Sequence, residues 1–461
     1  TFAQIVHLPL TGNAPAVSTN ILYEDVSGAG SRLWIANQDN DSVTAFDTAT
    51  SNRLAEISVG VGPRTLALAP DGKIWVVNKG DATISVVDGT SLNVVQTISL
   101  PYASQPFGLV FSPTGAFAFV ALEATGRLLK LDGASGDVLD DVGVGDHPRH
   151  VSVTADGNRV FVSRFITPPQ PGEDTASVQT QDQNGPTGGE IVVLDANSMG
   201  VLDTIVLRHS SLPDAENQGS GVPNYLGPVV LSPDGTQAWV PSKQDNIRRG
   251  KQRNNADLDF QNSVRAISSR IDTASLSEIP SARIDHDNSS VSSHAAYDPA
   301  TGTFLFVALE TSREVAVVDA HDGIELFRIS VGRAPQGVTV SDDGMTLYVN
   351  NFMDRTVGVF DLTELMETGQ FNVPQTDELQ PINNDALSAQ VLRGKQLFYD
   401  AFDRRMARDL YITCASCHND GGEDGRTWDF KGFGEGLRNT ISLRGRAGAH
   451  GPLHWSANFD E

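Results

Sequence analysis

Cysteine is the scarcest residue with distinctive chemistry in this chain, with two copies among 461 residues. Both stand in the stretch YITCASCHND, as Cys414 and Cys417, and His418 follows directly. So few cysteines exclude a disulfide-rich scaffold, and a structural zinc site would lack its second ligand pair. A bond between the two would close only a very short loop, and a thioredoxin-type pair would need a surrounding βαβ unit that the sequence lacks. The pair therefore calls for another, local purpose.

Positive charge is also scarce. The chain has 33 Lys and Arg but 57 Asp and Glu, so its formal net charge is -24. A nucleic-acid surface needs clustered basic side chains, so nucleic acid is excluded as a partner. The negative excess lies in the first 385 residues. It suits solubility in a salty or extracellular medium, or a platform that steers a basic partner. No apolar run approaches the ~20 residues of a membrane-spanning helix, so no transmembrane segment is predicted.

What the chain has in abundance is a repeat with a period of roughly forty residues. Seven segments rich in β-branched and aromatic residues recur, namely RLWIAN at 32, KIWVVN at 73, FAFVAL at 117, RVFVSR at 159, QAWVPS at 237, FLFVAL at 304 and TLYVNN at 346. Most follow a turn such as SPDG, and further strand-like segments come after them. This pattern predicts a seven-bladed β-propeller over residues 1–365.

The repeats resemble the blades of YVTN-type seven-bladed propellers, and this resemblance implies a surface or periplasmic protein. The last repeat ends at TVGVFDLTE without a fourth strand, and the N-terminal stretch FAQIVHLPL is predicted to supply it. Insertions interrupt the pattern at 165–189, 208–224 and 243–262. We interpret them as surface excursions, with partner contacts as the alternative.

Two histidines, His150 and His294, occupy the same position of their repeats, just before the innermost strand. This position faces the central channel of a propeller, beside Arg64 or Arg149. Hydrogen-bonded lining is the favoured interpretation, since two imidazoles alone make a poor metal site. Binding of a metal, an anion or a substrate is the alternative.

After residue 365 the pattern changes. Residues 366–386 have the composition of a linker, and ALSAQVLRGKQLFYD predicts the first helix of a small, mainly α domain over 387–461. The spacing C-x-x-C-H lets two thiols add to one haem while the adjacent imidazole binds its iron. Cys414, Cys417 and His418 are therefore predicted to bind one covalent haem c. Such attachment requires an extracytoplasmic assembly route, so a periplasmic or cell-surface location is expected.

The second axial ligand of that haem is left open by the sequence. All five methionines precede the motif, including Met406. His450 and His454 follow downstream and are favoured over Met406 or a vacant position. Histidine ligation predicts a low-potential electron carrier, whereas a vacant position would admit peroxide or another small ligand.

The segments RGKQLFYD, CASCHNDGGEDGRTWDF, LRNTISLRG and GPLHW resemble, in this order, the N-terminal haem half of bacterial di-haem cytochrome c peroxidases and MauG-like enzymes. The resemblance implies thioether bonds at Cys414 and Cys417 and ligation of the iron by His418. It also implies that Arg438 and Asn439 lie near the haem pocket and that Trp455 is an electron relay. The second C-x-x-C-H of that family has no counterpart before residue 461, and its histidine before R-N is also missing. Peroxidase activity is therefore not carried over to this chain.

The sequence thus predicts a mainly β protein, in which a seven-bladed propeller is joined to a small C-terminal cytochrome c-type domain. We expect an exported c-type cytochrome that transfers single electrons, with the propeller as a docking or assembly platform for a redox partner protein or neighbouring copies. One alternative is a di-haem peroxidase or MauG-like oxidoreductase whose further haem domain lies downstream of residue 461. The other is a surface adhesion or assembly scaffold.

Overall fold

The computed structural model describes residues 14–26, 30–178, 187–249, 260–407, 409–431 and 436–445. Among these residues, none of the helices combines the length and the apolar character needed to cross a bilayer.

The first four blades follow one another along the chain, each with four antiparallel strands. A short additional strand, β1 (Ala16–Val17), pairs with the first strand of the fourth blade. The strands of these blades are β2 (Ile21–Val26), β3 (Gly30–Asn37), β4 (Ser42–Asp47) and β5 (Arg53–Ser58); β6 (Pro63–Leu68), β7 (Lys73–Asn78), β8 (Thr83–Asp88) and β9 (Asn93–Ser99); β10 (Pro106–Phe111), β11 (Phe117–Leu122), β12 (Arg127–Asp132) and β13 (Val138–Gly143); β14 (Pro148–Val153), β15 (Arg159–Arg164), β16 (Gly188–Asp195) and β17 (Val201–Arg208).

A larger sheet of seven strands, called the large sheet below, comes next and is followed by the fifth and sixth blades. The large sheet contains β18 (Ser210–Ala215), β19 (Gln218–Asn224), β20 (Val230–Leu231), β21 (Gln237–Asp245), β22 (Val264–Asp272), β23 (Ser277–Glu278) and β24 (Ile284–His286), with helix α1 (Phe260–Ser263) and a 3₁₀ turn at Pro280–Ala282. The last two blades contain β25 (Ser292–Tyr297), β26 (Phe304–Leu309), β27 (Glu314–Asp319) and β28 (Ile324–Ser330), then β29 (Pro335–Val340), β30 (Thr346–Asn351), β31 (Thr356–Asp361) and β32 (Gln375–Leu379).

The inner strands of each blade are apolar on both faces because a blade is packed between two neighbours. In β7 the residues Ile-Trp-Val-Val are all buried, whereas six of the seven residues of the outermost strand β9 are exposed. Glycine fills the tight turns that precede these strands, as at Gly235, where φ is 71°. This is why the second strand of each repeat is the one that stands out in the sequence.

Neighbouring sheets are joined by apolar clusters, and the last cluster closes the ring. Between the first and sixth blades, Ile21 and Leu33 pack in one cluster with Tyr348 and Val357. Asn20 also donates its side-chain N–H to the carbonyl oxygen of Gln336, at 3.1 Å. The propeller arrangement predicted from the repeats is therefore confirmed.

Two details of the predicted propeller are wrong. The repeat around QAWVPS forms part of the large sheet, so the described chain has six blades rather than seven equivalent ones. The fourth strand of the last blade is β32, which lies in the segment predicted as a linker. The N-terminal residues 1–10, which were expected to supply that strand, lie outside the described residues.

The large sheet arises from two of the insertions. The insertion at 208–224 forms β18 and β19, and β21 and β22 extend to nine residues each, beyond the six typical of the blades. Residues 250–259 of the third insertion lie outside the described residues. Added strands on one side of a ring break its regularity, and Asn224 and Lys243 of this sheet contact the C-terminal segment.

The C-terminal segment consists of short elements that pack against the ring. After α2 (Thr363–Thr368) come α3 (Ala389–Tyr399), α4 (Ala415–His418), a 3₁₀ turn at Asn419–Gly421 and the hairpin β33 (Thr427–Asp429) and β34 (Leu437–Asn439). Ser388 caps α3 by accepting a hydrogen bond from the backbone N–H of Val391. An apolar cluster that includes Phe352, Met353, Tyr399 and Ala415 joins α3 and α4 to the ring.

Candidate functional site

The C-x-x-C-H motif forms a single helical turn that lies against the propeller. The backbone N–H of His418 donates to the carbonyl oxygen of Cys414 at 2.8 Å, which brings the three residues of the motif together. The two intervening residues, Ala415 and Ser416, are fully buried against the ring, and the hydroxyl of Ser416 lies 2.7 Å from that of Ser290. Cys414, Cys417 and His418 are only partly buried. The motif thus uses its middle residues to contact the ring and keeps its chemical residues at the edge of that contact.

The His418 ring is held in one tautomer by the chain that follows it. Nδ1 lies 3.1 Å from the carbonyl oxygen of Gly422, and because a carbonyl can only accept, Nδ1 carries the proton. In a neutral imidazole the other nitrogen, Nε2, then has the lone pair that a metal requires. A backbone carbonyl that orients a histidine in this way is the usual support of a metal ligand. The residues present therefore fit a haem iron ligand at His418, with Cys414 and Cys417 as attachment points.

The two thiols do not have the character of a reactive redox pair. Burial raises the pKa of Cys414 and, more strongly, that of Cys417 above the ordinary thiol value. Thiol–disulfide enzymes instead lower the pKa of their attacking cysteine. A disulfide-exchange function is thus disfavoured by the surroundings of the pair.

Asp420, two residues after His418, places its carboxylate in the mouth of the propeller channel. The left-handed backbone at this residue, with φ of 55°, turns the chain toward the ring. One carboxylate oxygen lies 3.2 Å from Nη1 of Arg64 and the other 3.4 Å from Nη2 of Arg149. Burial opposes ionisation of Asp420, but the two guanidinium groups outweigh it and hold its pKa well below the usual range.

Arg149 also belongs to a second buried ion pair. It lies 3.1 Å from Glu123, which in turn lies 2.7 Å from Nζ of Lys79. Burial opposes the charge on Glu123, yet Arg149 and Lys79 lower its pKa to about 2. The channel mouth is therefore a ring of three cations that share two carboxylates, one of which comes from the motif turn.

A second contact is made around Lys243, whose side chain is fully buried. Its Nζ lies 3.0 Å from Asp424, 3.1 Å from Asp245 and 2.7 Å from the carbonyl oxygen of Ser416. It also lies 4.2 Å from the centre of the Tyr225 ring. Burial disfavours the charge on Lys243, but the two carboxylates overcome it and raise its pKa.

Tyr225 and Asn224 complete this contact with direct hydrogen bonds to the C-terminal segment. The hydroxyl of Tyr225 donates to the carbonyl oxygen of Cys417 at 2.6 Å. The side-chain amide of Asn224 donates to the carbonyl oxygen of Asp424 at 2.8 Å. The motif backbone is thereby fixed by Tyr225, and the chain after it by Asn224, the last residue of the insertion at 208–224.

The other two insertions also contact this segment. Arg426 is fully buried and lies 3.1 Å from Glu173, and it donates as well to the carbonyl oxygen of Thr167. Nη1 of Arg249 donates to the carbonyl oxygen of Thr427 at 2.9 Å. All three insertions therefore hold the C-terminal segment, whereas the sequence favoured surface excursions.

The remaining predicted haem-site residues lie partly within the described chain. Arg438 stands on β34 opposite Trp428 of β33, and its Nη1 donates to the carbonyl oxygen of Leu437, while the neighbouring Asn439 is exposed. Trp428 links this hairpin to the motif by donating to Asp424 at 3.3 Å. Met406 is half exposed. Trp455, His450 and His454 lie outside the described residues, so their predicted roles stay predictions.

The predicted channel residues line a cavity of about 70 Å³ behind the motif turn. His150 and His294 line it together with the charged or titratable residues Arg64, Arg149 and Glu310. Asn419 and Asp420 of the C-terminal segment close one side. The other polar lining residues are Ser18, Asn20, Gln38 and Gln336. Nδ1 of His150 lies 3.3 Å from the hydroxyl of Ser18. Within the described residues, no set of three or more His, Cys, Asp or Glu side chains is placed to hold a metal ion.

Sequence reasoning found the motif and the channel histidines but missed the residues that join them. Asp420 lies in the turn-forming stretch CHNDGG, which has the composition of an exposed loop. Lys243 comes directly after the strand pattern QAWVPS, at the start of the insertion at 243–262. In the structure Lys243 instead lies within β21, whose residues after Gln237 are all buried.

Comparison with known proteins adds a fold relation. The fold is similar to that of hydrazine synthase from Kuenenia stuttgartiensis, with a TM-score of 0.58 and 20% sequence identity over 78% of this chain and 99% of that chain. No protein-family model matches the chain, and no curated protein matches it either. At this level of identity the likeness concerns the fold alone, and it supports the propeller arrangement.

Proposed function

We propose that this chain is an exported c-type cytochrome that carries one covalent haem and transfers single electrons. The observation that carries the proposal is the C-x-x-C-H turn in which Nδ1 of His418 is bound to a carbonyl oxygen, so that Nε2 is the ligand atom. Cys414 and Cys417 would form the two thioether bonds and His418 would bind the iron. When bound, such a group supplies reversible one-electron chemistry at a potential tuned by its ligands and burial.

The part played by the propeller in this proposal is to fix the ligand turn. Ser416, Asp420 and Asp424 are each bonded to buried side chains of the ring, so the backbone on both sides of His418 is restrained. A site built on such rigid supports keeps its geometry while charge changes nearby. Arg438 and Asn439 are proposed to lie beside the pocket, Trp455 is proposed to relay electrons, and His450 or His454 would supply a further ligand to the iron.

The acidic propeller is proposed to act as the docking platform. The first 385 residues hold the whole negative excess, whereas the charges of residues 386–461 balance. A partner with a basic face would be attracted to the ring and brought near the neutral segment. The proposed partner is a redox protein or a neighbouring copy, in the periplasm or at the cell surface.

Expression of the full chain with the c-type haem maturation machinery tests the proposal. A haem stain on a denaturing gel should mark the wild-type band, since thioether bonds survive unfolding. The double variant Cys414→Ser, Cys417→Ser should lose the stain, whereas the control Met406→Leu should keep it. An unstained wild-type band from cells that load another c-type cytochrome would overturn the proposal.

The ferric spectrum of the same material separates transfer from the peroxidase alternative. For a carrier whose iron has two protein ligands, we expect a low-spin ferric spectrum that peroxide does not change. The spectrum of the reduced protein should likewise be unchanged by carbon monoxide. A high-spin spectrum with carbon monoxide binding would instead favour an oxidoreductase with a vacant ligand position.

A further inference from the structure

An amine and two carboxyl groups meet in an enclosed space where the propeller contacts the C-terminal segment. Lys243 and Asp245 belong to β21, and Asp424 follows the motif turn. The side chains of all three residues are 0% exposed. Nζ of Lys243 lies 3.0 Å from Oδ2 of Asp424 and 3.1 Å from Oδ1 of Asp245. Groups that are able to react with one another are thus held in contact at a place that bulk solvent does not reach.

The walls of this space are partly aromatic. Nζ of Lys243 lies 4.2 Å from the centre of the Tyr225 ring and 5.7 Å from that of Trp428. Charges in such surroundings lose the hydration that stabilises them in water, so an uncharged product is favoured relative to an ion pair. Nε1 of Trp428 also donates to Oδ2 of Asp424 at 3.3 Å. This N–H group points at an oxygen on which negative charge develops when an amine attacks the carboxyl carbon.

Asp245 is placed to move a proton. Its Oδ2 accepts a hydrogen bond from the side chain of Asn224 at 2.8 Å. Its Oδ1, the atom beside Nζ of Lys243, has no aligned hydrogen-bond partner in the part of the chain that the structure describes. Burial raises the pKa of Asp245 above the ordinary value of a carboxyl group. Asp245 is therefore suited to take a proton from the Lys243 ammonium group and so release an amine nucleophile.

We propose that Lys243 and Asp424 form an amide bond that joins the C-terminal segment covalently to the propeller. In this step a bond forms between Nζ of Lys243 and Cγ of Asp424, and the bond from Cγ to Oδ1 breaks. The ammonium group gives up two protons, the first by way of Asp245, and both leave with Oδ1 as one water molecule. An ammonium and a carboxylate thus become an amide and water, with no oxidant, reductant or further reactant.

The bond would connect residues that stand 181 positions apart in the chain. The one N–H that the amide keeps is able to donate to the carbonyl oxygen of Ser416, which lies 2.7 Å from Nζ of Lys243. The motif turn would therefore stay on the ring even where the surrounding hydrogen bonds break. This inference goes beyond the proposed electron transfer and does not rest on it, because neither linked residue is a proposed thioether or iron ligand.

Lys79 and Glu123 form a comparison within the same molecule. Their contact is also buried, with Nζ of Lys79 2.7 Å from the Glu123 carboxylate. Arg149 lies 3.1 Å from that carboxylate, and together with Lys79 it lowers the pKa of Glu123 to about 2. A carboxylate that keeps its charge resists attack by an amine, so no amide is expected between Lys79 and Glu123.

The intact mass of the denatured full chain tests the bond. The wild type should be lighter by one water molecule than its sequence and any attached haem require. A proteolytic digest should contain a peptide with residue 243 joined to a peptide with residue 424. The peptides that carry Lys79 and Glu123 should remain separate in the same digest.

Variants assign the missing water to this site. Lys243→Arg keeps the positive charge but is unable to form the amide, so the chain should have its full mass. The control Lys73→Arg changes a lysine of an exposed ion pair with Asp71 and should leave the mass deficit of the wild type in place. Asp245→Asn has nearly the same shape but removes the proton carrier, and it should leave most of the chain unlinked.

A wild-type chain of full mass would overturn the proposal and leave an ordinary buried ion pair, and this result does not depend on the folding of any variant. A deficit that persists in Lys243→Arg would also overturn it, because the water would then have been lost elsewhere. Haem changes the mass by a separate amount. A chain with haem and no missing water would contradict this proposal alone, whereas a chain with the missing water and no haem would contradict only the proposed function.

Discussion

The interfaces between blades and the interface that holds the C-terminal segment are built from different residues. Between blades the contacts are apolar, as in the cluster of Phe119, Val151 and Val162. Around the motif turn the buried contacts are largely polar or charged, with Asp420, Lys243 and other ionic groups at their centre. Apolar contacts tolerate small shifts, whereas ion pairs and hydrogen bonds demand a particular alignment. The propeller is thus built for stability, and the interface with the motif for position.

The largest effect is expected from an apolar blade residue. Phe119→Ala removes a fully buried ring and should lower the free energy of unfolding by about 3–5 kcal/mol, because a cavity remains. Chemical denaturation measures this change. Val138→Ala, at a residue that is 53% exposed, is the control and should stay within about 0.5 kcal/mol of the wild type. Equal losses in the two variants would contradict the assignment of stability to the blade interfaces.

A smaller and local effect is expected at the motif turn. Asp420→Asn keeps the shape of the side chain but removes the charge shared by Arg64 and Arg149, and should weaken docking of the turn by about 2 kcal/mol. Hydrogen exchange of residues 415–421 should quicken while that of β7 is unchanged. Glu423→Gln, at an exposed position three residues on, is the control. Uniformly faster exchange across the ring would show that Asp420 supports the whole fold instead.

The pH dependence of stability distinguishes the channel from the blades. Glu310 has a pKa raised to about 7 by burial, with Asp420 adding to the shift, so the folded state binds its proton more tightly than the unfolded state. Its contribution is present at pH 4 and is lost as pH rises from about 4.5 to 7, by about 1–3 kcal/mol. Glu310→Gln should therefore lose less stability than the wild type over this interval. The exposed Glu367→Gln should follow the wild type, and identical slopes in all three proteins would contradict the assignment.

The smallest effect is expected from an exposed ion pair on a blade. Arg127 and Asp141 have side chains that are 42% and 41% exposed, so solvent screens their attraction. Arg127→Ala should change the free energy of unfolding by less than about 1 kcal/mol, and the change should shrink further in high salt. A loss as large as that of Phe119→Ala would remove the distinction between surface pairs and core contacts.

The blades could be predicted from the sequence because their signal is local. A strand, a glycine turn and a second strand lie within a few residues of one another, as in the stretch that forms β7 and β8, and the pattern repeats. The strand β32 could not be predicted, because four of its five residues are exposed and show no alternation. Its place in the last blade is set by pairing with β31 rather than by its own composition.

The candidate site divides in the same way. The C-x-x-C-H motif is contiguous and could be identified directly. The partners of Asp420 are Arg64 and Arg149, which lie hundreds of positions earlier in the chain, so no local pattern relates them. Lys243 is buried against Asp424 and Ser416 of the C-terminal segment, and a burial of this kind is a property of the assembled fold.

Intact-mass measurement after alkylation of the denatured chain tests the central claim most directly. If residues 414 and 417 are joined to a haem, the wild-type protein gains the mass of one haem and takes up no alkylating reagent, since both of its cysteines are used. A mass that lacks the haem and shows two alkylated thiols, from cells competent in c-type haem attachment, would contradict the account of the site and leave only the propeller.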